Sequence, residues 1–153
     1  MNTVILFCAM VLIFVAIAFA FFRVFFRHEK KHHVRHVAML MFTSLASWQA
    51  AHVLKNVIAF PRPDLADALF QPLSVYSHGM PSGHAAFMFA LAATMHSFDR
   101  RAGVALYILA IFTGAGRVLA GVHFWYDIVG GALLGVAIAW VVTSMCKRLI
   151  RYA

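Results

Sequence analysis

Residues 3–22 read TVILFCAMVLIFVAIAFAFF, twenty positions without a single charge. A run of that length matches the roughly 20 apolar residues that carry a helix across a bilayer. It has no basic segment ahead of it and no small-residue cleavage pattern before the basic cluster that follows, so it reads as a retained helix rather than a leader. The rest of the 153-residue chain has the same character: 63% of it is hydrophobic and only 12% charged. Soluble domains have about 45–50% apolar and roughly 25% charged residues. A soluble globular protein is therefore excluded, and so is a disordered chain, which needs low hydrophobicity and high charge. A transmembrane barrel alternates apolar and polar residues along each strand, and these unbroken runs do not.

Four more segments follow the first run. After the basic stretch RHEKKHHVRH at 27–36, read as a loop, a second span covers Val37 to about Phe60 and is stopped by Pro61-Arg62-Pro63. Residues 64–80 are more polar and read as a loop with a short interfacial helix near Leu65–Phe70. The third span opens at Ser82 and ends near Phe98. A tight turn at Asp99-Arg100-Arg101 leads to a fourth at about 103–116, and a fifth runs from about Trp125 to Met145. The expected fold is all-α, a polytopic bundle of about five transmembrane helices forming one domain over 1–153. Cys8 and Cys146 fall near opposite faces, so no disulfide is expected.

The 13 Lys and Arg residues orient this bundle. Ten of them (Arg23, Arg27, Lys30, Lys31, Arg35, Arg100, Arg101, Lys147, Arg148, Arg151) fall on the face that holds the 27–36 loop, the 99–102 turn and the C-terminus. That face is expected in the cytoplasm. The three others, Lys55, Arg62 and Arg117, fall on the outer face, with Trp125 and Tyr126 as an interfacial aromatic belt. A nucleic-acid partner is not expected, because the 27–36 cluster is short and carries no reading motif. Its histidines (His28, His32, His33, His36) read as a solvated cytoplasmic face, not a metal site.

The three outer cations need another explanation. A charge inside a span costs roughly 2.5–3.5 kcal/mol at the bilayer centre, so Lys55 reads as a functional residue facing protein. Pro81-Ser82-Gly83-His84 opens the third span. Serine caps helix N-termini well, and such a terminus presents free N–H groups to an anion. His123 and Asp127 are four residues apart and share one helix face, so the carboxylate can take one ring nitrogen and leave the other to attack. Three cations, a helix N-terminus, two histidines and a carboxylate on one membrane face make a phosphate site with a candidate nucleophile. Beside them, His52 reads as a packed ring near the pocket, His78 as a loop residue and His96 as structural.

Lys55-x6-Arg62-Pro63, then Pro81-Ser82-Gly83-His84, then Arg117-x5-His123-x3-Asp127 resembles the three-part signature of the type 2 phosphatidic acid phosphatase (PAP2) superfamily, over roughly residues 37–145. The resemblance implies His123 as nucleophile, Asp127 as its partner and His84 as general acid. It implies Lys55, Arg62, Ser82, Gly83 and Arg117 as the phosphate-binding set, and a reaction through a phosphohistidine with no cofactor and no metal. A bell-shaped pH–rate profile follows from a neutral His123 and a protonated His84. Two departures stand out. The position before Arg117 is Gly116 where the family usually has serine, which removes a hydroxyl donor that a backbone N–H or a water would replace. The family also commonly has six spans, so a leading helix is expected to be missing here.

The expected substrate is a lipid phosphate or diphosphate drawn from the bilayer at the outer face of a bacterial cytoplasmic membrane. Undecaprenyl diphosphate ranks first, phosphatidylglycerophosphate or phosphatidic acid second, and lipid A third. A non-catalytic phospholipid-binding homologue is the alternative class, disfavoured because a binding protein has no use for His84 and His123. The pattern Gly131-x-x-x-Gly135 permits close helix packing, either within the chain or in a homo-oligomer.

Overall fold

The structure is a computed structural model and describes residues 2–27, 30–63, 68–69 and 78–151. Among the described residues all regular structure is helical. The first rod comprises α1 (Asn2–Leu6), a π-helical turn (Phe7–Val11) and α2 (Leu12–Arg27). It is followed by α3 (Lys30–Ile58), α4 (Gly83–His96), α5 (Arg100–Leu119) and α6 (Trp125–Arg151). Four of the five rods are long and apolar enough to cross a membrane. The exception is α4. Its 14 residues span only about 21 Å at 1.5 Å per residue, less than the roughly 30 Å hydrocarbon core.

That short helix is the centre of the bundle, packed against α3, α5 and α6. Its composition explains this. Ala85, Ala86, Met88, Ala90, Leu91, Ala92 and Met95 are buried on several sides of the helix, the pattern of a rod surrounded by protein. Met88, Leu91, Ala92 and Met95 join Ala16, Ala20 and Val24 of α2, Leu40 of α3, and Ala102, Leu106 and Ala110 of α5 in one core. Lipid tails are as apolar as these side chains, so close packing and interhelical hydrogen bonds hold such bundles together. Thr43 of α3 and Thr94 of α4 supply one such bond, 2.7 Å between buried hydroxyls.

The glycines of α6 set how near α4 can come. A Cβ on Gly131 would lie 2.4 Å from the Ser82 carbonyl oxygen, and one on Gly135 would lie 2.3 Å from that of Ala86. The Gly131–Gly135 pattern is thus used inside the chain, to bring two helix backbones into contact.

Several expectations change at the element ends. The 27–36 stretch is not a loop throughout, because α3 already begins at Lys30. Lys and Arg are good helix formers, and the absence of apolar periodicity concealed the extra two turns. Asp99-Arg100-Arg101 is a helix start: the Asp99 side chain accepts from Ala102 N at 3.0 Å. Asp99 also pairs with Arg23 at the end of α2, placing these two element ends at the same end of the bundle. The expected helix near Leu65–Phe70 lies outside the described residues except for Ala68 and Leu69. In the first rod Phe14, Phe22, Phe25 and Phe26 are exposed, whereas Phe19 packs against the core.

Replacing Gly135 with leucine should force α4 and α6 apart and cost about 3 kcal/mol, the upper part of the usual overpacking range. Thermal unfolding in detergent checks this; an unchanged midpoint would show that the seam tolerates a side chain.

Candidate active site

The site is assembled where α4 and α6 begin and α3 and α5 end. Phe124 precedes α6, and Asp127 in its first turn reaches back, its Oδ2 accepting from Phe124 N at 3.0 Å. That is the carboxylate half of a capping box, and the helix N-terminus favours its negative charge. The same Oδ2 lies 3.0 Å from His123 Nδ1. With the carboxylate as acceptor, Nδ1 carries the hydrogen and Nε2 keeps its lone pair. Asp127 is fully buried and His123 almost so. The carboxylate is enclosed from the other side by Gly79, where a Cβ would stand 2.9 Å from Oδ2. Gly79 N in turn donates to the Phe60 carbonyl at 2.8 Å.

Ser82 fixes the second motif to the third. Its N–H donates to the Asp127 carbonyl at 2.9 Å. Its side chain caps α4, accepting from Ala85 N at 3.5 Å. The buried Ser82 hydroxyl thus serves as an acceptor and keeps its own hydrogen to donate. The N–H groups of Gly83 and His84, at the first two positions of α4, have no intrahelical acceptor and form the anion-facing end of the helix. Gly83 also admits α3, since a Cβ there would meet the Trp48 ring at 3.2 Å and His52 Nε2 at 3.7 Å.

The cations arrive from three directions. Lys55 is in the last turn of α3 and buried. Arg62 follows α3 and donates from Nη1 to the Val122 carbonyl at 3.3 Å. Arg117 lies in the last turn of α5 and is also buried; its Nη1 donates to the Ala9 carbonyl at 3.3 Å. The charges of Arg117, Arg62 and Lys55 all act on His123. His84 is within electrostatic reach of His123, Arg117, Lys55 and His52. All three motifs therefore converge on one place.

Burial pushes the His123 imidazole below its ordinary range, the Asp127 hydrogen bond pulls it back up, and the three cations push it down again. The balance is a ring that stays neutral at physiological pH. Burial lowers the Arg62 guanidinium as well, opposed by the Asp127 charge, but an arginine so shifted remains charged at neutral pH.

Two contributors carried no signal in the sequence. Gly79 and the Ala9 carbonyl act through backbone and through missing atoms, so neither belongs to a pattern of chemistry-bearing side chains. Gly116, which stands where the family usually has serine, is pressed against the first helix: a Cβ would stand 2.7 Å from Cys8 Cβ and 2.8 Å from Ala9 N. Around the site lies an aromatic rim. Tyr126 packs against Phe60, Phe124 and Trp125 with ring centroids 5.4, 5.0 and 5.8 Å away, and Trp125 is exposed. Among the described residues, no three His, Cys, Asp or Glu side chains come together as a metal site would require.

The family model of the PAP2 superfamily matches residues 36–151. A lipid A 1-phosphatase of Rhizobium johnstonii is 32% identical over 128 residues, covering 76% of this chain and 51% of that protein. Phosphatidylglycerophosphatase B of Bacillus subtilis is 27% identical over 111 residues, covering 65% of this chain and 53% of that protein. The chain thus spans about half the length of these relatives. The crystal structure of Aquifex aeolicus LpxE superposes with a TM-score of 0.73 at 25% identity, covering 94% of this chain and 85% of that one.

Nitrogen-15 NMR of labelled protein should show His123 with its hydrogen on Nδ1 and a titration midpoint below 6.5. Asp127→Asn removes an upward influence, so the midpoint should fall further. A midpoint above 6.5, or a rise in the variant, would contradict the balance described here.

Proposed function

The chain belongs to the PAP2 superfamily, a multi-pass membrane protein of a family whose relatives include lipid phosphatases, and from that premise we propose that it hydrolyses a lipid phosphate through a phosphohistidine on His123. The observation that carries this is the buried His123–Asp127 pair within charge reach of Arg117, Arg62, Lys55 and His84. Nε2 of His123 attacks the terminal phosphorus in line with the oxygen that joins it to the rest of the lipid, an ester oxygen in a monophosphate and the bridging oxygen in a diphosphate. The P–O bond breaks, and the leaving oxygen takes the proton of His84. Water then attacks the phosphohistidine, His84 accepts the proton, and inorganic phosphate leaves His123 neutral again.

Uncatalysed phosphomonoester hydrolysis is so slow that enzymes accelerate it by up to ~10²¹-fold. The two-step route divides that barrier. Lys55, Arg62, Arg117 and the N–H groups of Gly83 and His84 stabilise charge on the equatorial phosphoryl oxygens, where fixed donors in a dry site are most effective. These cations occupy the electrostatic role that a metal ion fills in many phosphoryl transferases, and the reaction as proposed uses neither metal nor cofactor.

The aromatic rim beside the site supports a substrate drawn from the bilayer. The excess of cations at the opposite end of the bundle supports a site facing out of the cytoplasm, in a bacterial cytoplasmic membrane. Undecaprenyl diphosphate is the substrate proposed on that placement. A second reading, a phosphorylated glycolipid, is favoured by the relative named for lipid A 1-phosphate chemistry.

Purified protein in detergent, with EDTA present, should release phosphate from one of these two lipids. His123→Ala should lower the rate by at least about 10³-fold, comparable to loss of a nucleophile elsewhere. No release from undecaprenyl diphosphate, lipid A, phosphatidic acid or phosphatidylglycerophosphate would leave a non-catalytic headgroup-binding protein as the better reading.

A further inference from the structure

The first helical rod runs regularly except at Phe7–Val11, where it widens into a π-helical turn and Leu12 N–H bonds back five residues to the Phe7 carbonyl. Such turns cost hydrogen-bond geometry and tend to persist where they serve a site. This one faces α5. Ala9 at its centre is fully buried and packs with Ala120 and Val122, which lie in the loop that carries His123. The Ala9 carbonyl accepts from Arg117 Nη1 at 3.3 Å. The contact is possible because Gly116 has no side chain: its missing Cβ would lie 2.7 Å from Cys8 Cβ, 2.8 Å from Ala9 N and 2.9 Å from the Cys8 carbonyl carbon. Two of those three atoms are backbone and cannot rotate away.

We propose that the N-terminal rod is a working part of the phosphate site, in which the π-turn seated on Gly116 uses the Ala9 carbonyl to aim the Arg117 guanidinium at the phosphoryl group. This rests on the phosphate-site reading above. A guanidinium has five donors in a rigid plane, so a fixed acceptor on one edge determines where the other edge points. In a buried setting that bond is stronger than in water, and its loss removes one fixed anchor of the guanidinium. Gly116 and the Ala9 carbonyl are positioning elements: they act through Arg117 and need not touch substrate. Any side chain at 116, alanine or serine alike, displaces the turn.

The test separates binding from turnover. Inorganic phosphate binding is measured by calorimetry on purified full-length protein in detergent, for the parent, Gly116→Ala, Arg117→Lys and the double variant, with hydrolysis measured in parallel. Gly116→Ala should weaken phosphate binding about tenfold in the parent and less than about twofold once Arg117 is lysine, because coupled residues give non-additive effects. If Gly116→Ala does not purify folded, an ester in place of the Ala9–Met10 amide weakens the carbonyl acceptor without adding bulk and should show the same dependence on Arg117. Equal losses with and without Arg117, or no loss, overturn the proposal, as does a parent that binds no phosphate. Phosphate binding with the expected coupling but no hydrolysis of any lipid would instead overturn the catalytic reading and leave this one standing.

Discussion

The contact on which the rest depends is the one between the starts of α4 and α6, where Ser82 N donates to the Asp127 carbonyl and Gly131 leaves no atom in between. It joins the helix end that presents N–H groups to the helix end that holds the carboxylate. Because lipid gives no hydrophobic reward for bringing two helices together, such contact needs small residues and satisfied backbone groups. Once it is made, His84 and His123 are fixed relative to each other, and the ends of α3 and α5 have one place left for their cations.

That geometry resolves a conflict. Three cations near one another repel, and a buried carboxylate is costly without partners. Asp127 takes the His123 ring and the Phe124 N–H on one oxygen, and its charge opposes those of Arg62 and Lys55. The cation excess that remains suits a bound phosphoryl group, whose charge completes the balance. Neutral His123 then follows from its buried surroundings, and the Ala9 carbonyl helps hold Arg117.

Much of this was legible in the chain. Lys55 lies within an apolar run, where a charge is expensive unless used, and Arg62 and Arg117 lie with it on the face poor in other cations, so the three stood out; the i, i+4 spacing of His123 and Asp127 placed them on one face. The shortness of α4 and its central position were only half legible, since an all-round apolar helix reads equally as a span or as a core rod. Least legible were contributions without side-chain chemistry: Gly79 closing over Asp127, the π-turn, and the Ala9 carbonyl. Gly116 looked like a lost hydroxyl in sequence, while in space it is room for another helix. Patterns of residue type report groups that are present, and they are silent about atoms that must be absent.

The central claim is that His123 is the nucleophile. Rapid quenching of turnover on a substrate with a labelled phosphoryl group tests it most directly. The account predicts an acid-labile, base-stable phosphoryl adduct that maps to the peptide containing His123 and vanishes in His123→Ala. Steady turnover without any adduct in the parent under single-turnover conditions, or an adduct on His84, would contradict it.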